Sequence, residues 1–227
     1  MAYEEYRPND THAQISLQPI AAPSILGLYG FAGATFMVAA NMAHWFGNGS
    51  SVLYLFPFVA MFGGLAQFLA GMWAYRARDG VATAMHGMWG SFWMAYGILQ
   101  LLIAFGRIQA PQGAWPEIGY WFIVLAAITW VGAFAAGADN KCLVTMLSLL
   151  AAGSTIAAAG ELTGSDGTMV LAGYLFMLAA VAAWYTASAL MLNEAYGHQV
   201  WSVGKSRHAR EPVSIGVGEP GVIKGQA

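Results

Sequence analysis

GGLAQFLAGMWAYRARDGVATAMHGMWGSFWMAY, residues 63–96, decides the fold. It reads as the end of one apolar helix, a turn carrying Arg76, Arg78 and Asp79, and the start of a second apolar helix. Glycine and alanine recur through both flanks at helical spacing, which suits helices packed closely in lipid. Gln67 stands alone among small residues on one flank. On the other, His86, Trp89, Gly90 and Trp93 share a face at i, i+3, i+4 and i+7.

The rest of the chain agrees with a membrane reading. Its 227 residues are 58% hydrophobic and only 9% charged, where soluble domains carry about 25% charged residues. The net charge of −2 gives no basic surface for nucleic acid. Cys142 is the single cysteine, so neither an intrachain disulfide nor a multi-cysteine metal site can form. Residues 1–20 carry Glu4, Glu5 and Asp10 without a basic, then apolar, leader pattern, which argues against a cleaved signal peptide.

Six apolar segments, about Ser24–Phe46, Ser51–Tyr75, Ala82–Phe105, Pro116–Gly137, Cys142–Gly160 and Thr168–Leu192, are each long enough to cross a bilayer. None contains lysine or arginine. The expected fold is an all-α, six-helix transmembrane bundle, since backbone groups in hydrocarbon must bond within their own segment. With both termini on one side, that side collects Arg7, Arg76, Arg78, Lys141, Lys205, Arg207, Arg210 and Lys224, against Arg107 alone opposite. The positive-inside rule then places both termini in the cytoplasm. The expected organisation is an N-terminal tail over 1–22, a membrane domain over 23–192 and a cytoplasmic tail over 193–227. Lys205–Ala227 is expected to be largely disordered.

Few polar residues lie at membrane depth. Glu117, Glu161 and Glu194 all fall at segment ends, so no carboxylate is central to a span. A weak-acid solute would have to bring its own proton. His44 and His86 differ in depth by roughly 20 Å or more at 1.5 Å per residue, so they cannot ligate one haem. No His/Glu pair has metal-ligand spacing within a span, and no nucleophile–base or phosphate-loop pattern appears. The expectation is therefore no metal, no cofactor and no enzyme. The glycine stripes permit two readings, close helix packing or a pore lining. The aromatic face beginning at His86 permits packing or an apolar gate.

The run Leu26-Gly27-Leu28-Tyr29-Gly30-Phe31, then Gly63-Gly64-Leu65-Ala66-Gln67 with Ala70-Gly71, then Gly90-Ser91-Phe92-Trp93, and finally Leu192-Asn193-Glu194 with Tyr196-Gly197, resembles the acetate uptake transporter family. The resemblance covers about Pro23 to Gly204. It implies a plasma-membrane protein with a separate pathway through each protomer of a homohexamer. It further implies transport of acetate and related small carboxylates such as succinate, by proton-coupled uptake or channel-like anion flow. It maps the family's constriction onto Phe31, Trp89 and Leu150. Two departures stand out: the first-helix signature reads Ala22-Pro23-Ser24-Ile25-Leu26-Gly27-Leu28, without the family's Asn and second Pro, and Trp89 stands where a Tyr is usual. The Trp89 indole N–H would remain a donor for an anion. Gln67, Asn41 and Thr35 are the expected hydrogen-bonding residues beside the constriction. A different class of function stays open, in which the scaffold serves as a non-transporting sensor or membrane partner.

Overall fold

The structure, a computed structural model, describes residues 20–48 and 51–204. Six helices in it are long and apolar enough to cross a membrane: α1 (Pro23–Met42), α2 (Ser51–Arg76), α3 (Gly80–Ala104), α4 (Pro116–Ala136), α5 (Lys141–Thr163) and α6 (Asp166–Tyr196). Local chemistry sets their ends. Asp79, Asn140 and Ser165 cap α3, α5 and α6 by accepting from the backbone N–H of Ala82, Leu143 and Thr168. Gly164 and Gly197 close α5 and α6 in the left-handed region, at φ 66° and 68°. The last helix therefore runs on past the expected boundary at Leu192. The first helix stops at Met42, short of the expected Phe46, because His44 turns left-handed at φ 58°.

The hairpin of residues 63–96 forms as read, with α2 and α3 antiparallel across Ala77–Asp79. One feature was not legible. Pro57 sits inside α2 and the helix widens into a π segment over Ala60–Ala66. Proline removes one backbone donor and crowds the carbonyl one turn back, and a π bulge absorbs such a mismatch.

The helices form a ring. α1 packs on α2 and α6, α2 on α3, α4 on α5 and α5 on α6, whereas the join between α3 and α4 is sparse. The glycine stripes of α2 and α3 are packing surfaces. A Cβ on Gly71 would lie 2.7 Å from the Gly87 nitrogen, and one on Gly90 would lie 2.6 Å from the Phe68 nitrogen. Since backbone cannot yield as a side chain can, Gly71→Ala or Gly90→Ala is expected to cost about 1–3 kcal/mol. Thermal unfolding in detergent would show a lowered midpoint for both, with Gly80→Ala unchanged because open space surrounds that position.

Large apolar side chains such as Tyr54, Phe58, Val131 and Phe134 point outward, as a surface bathed in lipid or facing another subunit requires. At 31 residues, α6 is about 46 Å long and exceeds a hydrocarbon core of about 30 Å. Beyond Gly197 the chain folds back. Asn193 accepts from the backbone N–H of Val200 and Trp201 at 2.6 and 3.0 Å, and the Trp201 ring stacks on Tyr185. The backbone N–H groups of Lys141 and Cys142 donate to the carbonyls of Gly204 and Val203, so this return strand satisfies two open donors at the start of α5. The calls on residues 1–19 and Lys205–Ala227 fall outside the described residues.

Candidate functional site

Pro23 and Tyr196 lie at one end of the bundle, here the terminal end; Met42, Pro116 and Asp166 mark the far end. From the terminal end, Phe31, Gln67, Trp89 and Leu150 each lie eight or nine residues along their helices, about 12–14 Å at 1.5 Å per residue. Four helices thus supply one layer. Phe31, Trp89 and Leu150 are each 2% exposed. The rings of Phe31 and Trp89 meet edge to face, with centroids 6.4 Å apart. This buried apolar layer is the candidate neck.

Trp89 is held there by a bond that sequence reading missed. Its indole N–H donates to the Thr129 hydroxyl at 3.0 Å, and that hydroxyl donates to the Leu125 carbonyl at 2.6 Å. The expectation of an indole N–H open to an anion is corrected: the donor is spent on α4, and Trp89 serves the neck by its ring. A free hydroxyl one turn from a carbonyl is the ordinary threonine signal in a helix, but nothing in the sequence pairs residue 129 with residue 89.

On the far side of the neck lies a cavity of about 130 Å³. Trp89 and Leu150 line it, as do Thr35, Asn41 and Trp93. Phe92, Tyr96, Phe122 and Phe176 form an aromatic wall in successive contact; the Phe92 and Tyr96 rings are stacked, 5.6 Å apart. The wall follows the i, i+4 spacing of Trp89, Trp93 and of Phe92, Tyr96, so the aromatic face of α3 was the signal for it. Gly90 leaves that face and turns to α2 instead.

Among the described residues, four buried side-chain polar atoms lack a hydrogen-bond partner: Thr35 Oγ1, Trp93 Nε1, Gln67 Oε1 and His86 Nδ1. Buried polar groups are nearly always satisfied, and each one left open costs about 1–3 kcal/mol. Counted along their helices, they lie at successive depths in the bundle. His86 lies on the terminal side of the neck, its ring flat against Gly27, where a Cβ would fall 2.5 Å from ring carbon Cε1. Gln67 sits level with the neck. Thr35 and Trp93 line the cavity above it. Unfilled donors and acceptors at successive depths on both sides of an apolar layer are what a small polar solute needs in order to cross without full desolvation.

The expected site residues are therefore brought together unequally. Thr35 and Gln67 keep open polar atoms near the neck, whereas Asn41 lines the cavity but donates its amide to the Phe46 carbonyl at 3.0 Å, bracing the turn after α1. His44 is exposed and pairs with Asp166 at 3.1 Å. Glu161, set aside in the sequence as a helix-end residue, lines the cavity. At the terminal end, burial and the nearby Asp79 push the Asp139 carboxyl above the ordinary aspartate range, partly offset by its bond from Asn140.

A model of the GPR1/FUN34/yaaH family matches residues 4–202. The chain is 25% identical to the succinate-acetate/proton symporter SatP of Escherichia coli strain K12, over 82% of this chain and 97% of that protein. It is 26% identical to ammonia transport outward protein 2 of Saccharomyces cerevisiae, over 78% of this chain and 64% of that one. Its fold matches the solved structure of the bacterial acetate channel SatP with a TM-score of 0.75, at 23% identity, covering 82% of this chain and 99% of the other.

Proposed function

The chain belongs to the GPR1/FUN34/yaaH family, and on that premise we propose that it carries acetate and related small carboxylates, succinate among them, across the plasma membrane. The single observation that supports this most is the set of unpartnered buried polar atoms, on Thr35, Trp93, Gln67 and His86, at depths from one side of the Phe31–Trp89 layer to the other. The solute is expected to lodge first in the cavity, its oxygens taking bonds from the Thr35 hydroxyl and the Trp93 indole. It then slides past the Trp89 ring with Gln67 alongside. The aromatic wall packs the methyl or methylene part and excludes water.

Short acids suit a cavity of about 130 Å³; larger ones require the neck to widen. A dry apolar neck sets a heavy cost on a bare charge, so the reading favours passage as the neutral acid, with solute and proton moving together. The excess of basic residues at the terminal end supports an orientation with both termini in the cytoplasm. The exposed apolar faces of Tyr54, Phe58 and Phe134 suit association of protomers into a homohexamer.

The test is uptake of labelled acetate into liposomes containing the purified protein, with the outside made acidic. Saturable uptake above that of protein-free liposomes is expected, and it should be electroneutral. Equal uptake with and without the protein at every pH defeats the reading.

A further inference from the structure

Glu161 is the only acidic or basic side chain among the residues that line the far-side cavity. It reaches that position from the last turn of α5, eleven residues beyond Leu150, about 16 Å along the axis from the neck. The backbone around it is fixed: Trp115 N–H donates to the Glu161 carbonyl at 2.8 Å, and Gly160 lets α6 approach so closely that a Cβ there would fall 2.6 Å from the Met169 sulfur. On α3, the Tyr96 hydroxyl is its titratable neighbour. Glu117 on α4 and Asp166 on α6 stand at the same end but are exposed, Asp166 being held by His44. Among the described residues, no lysine, arginine or histidine lines the cavity.

We propose that Glu161 is the proton-exchanging residue of this cavity. The inference rests on the carboxylate-transport reading and deepens it. Two carboxylates confined in one apolar space cannot both stay ionised, so together they hold one proton. The aromatic wall strengthens the demand, because ring faces are negative and repel an anion. A carboxylate solute therefore enters when Glu161 is protonated. The Glu161 O–H bond breaks, the proton passes to a solute oxygen, and the neutral acid moves on to Thr35, Trp93 and the neck. Glu161 is left ionised and takes its next proton from bulk water at the far end. Thr35 Oγ1 and Trp93 Nε1, 3% and 6% exposed and without partners, are the independent sign that this cavity receives a polar ligand.

The experiment is acetate uptake by the full chain in liposomes at pH 5 and pH 7, for wild type, Glu161→Gln and Glu161→Asp. At pH 5 the solute arrives partly protonated, so Glu161→Gln is expected to stay within about twofold of wild type. At pH 7 it must be given a proton, and Glu161→Gln is expected to fall about tenfold or more, as loss of a general acid requires. Glu161→Asp retains the carboxyl and is expected to keep the wild-type pH profile. If Glu161→Gln follows the wild-type profile, or loses flux equally at both pH values, the proposal is overturned while acetate transport stands. Absence of flux in the wild type at both pH values instead overturns the transport reading itself.

Discussion

Gln67→Leu is expected to remove most acetate flux while leaving the bundle at least as stable. The two effects separate because Gln67 is 2% exposed and its Oε1 has no partner. In the empty protein that atom is a burden: removing an unsatisfied buried polar group by a residue of similar volume is neutral or stabilising. In the loaded protein it offers the passing acid a hydrogen bond at the level of the neck. One such bond, worth about 1–2 kcal/mol, corresponds to roughly five- to thirtyfold in rate. The check pairs uptake into liposomes with thermal unfolding of the same preparation. A residue whose role is to tie helices together would give the opposite result, with stability lost along with flux.

The second large effect is expected at Trp89. Its ring closes the neck against Phe31, and its indole N–H is bonded to Thr129. Trp89→Ala opens the layer, and the rate for succinate relative to acetate is expected to rise by roughly tenfold, the usual weight of one or two methylenes in a fitted apolar pocket. Since truncating a buried aromatic costs about 3–5 kcal/mol, Trp89→Phe is the companion variant. It keeps a smaller aromatic ring in the layer and loses the bond to Thr129, so selectivity is expected to stay nearer to wild type than in Trp89→Ala. An unchanged succinate-to-acetate ratio in both variants would show that the selective layer lies elsewhere.

Much of the architecture was legible because lipid leaves few choices. Runs of apolar residues with no internal lysine or arginine must be helices, and their lengths, turns and caps follow from local chemistry. The candidate site was legible as far as a motif carried it, to the buried layer that Phe31, Trp89 and Leu150 share. It was not legible where meaning depends on a partner far away in sequence. Asn41 looked like a free donor until Phe46 was seen to occupy it, and the Trp89 donor until Thr129 did. Glu161 read only as a segment-end residue because sequence gives depth along a helix but not the direction a side chain takes there. The π segment of α2 escaped notice for a related reason: Pro57 marks a disturbance, and how the turn after it is repaired depends on what α1 and α3 press against it.

The sparse join between α3 and α4 has one more consequence. α3 is bound to α2 almost backbone to backbone at Gly71 and Gly90, so it moves as part of that pair. What fastens it to α4 is a short row: Met85 against Gly132, Trp89 to Thr129, and Phe92 beside Phe122. Its middle fastener is also the wall of the neck. The molecule is built like a split collar whose clasp sits in its most tightly packed layer, so the ring that fills this layer is also the one that ties the two halves together.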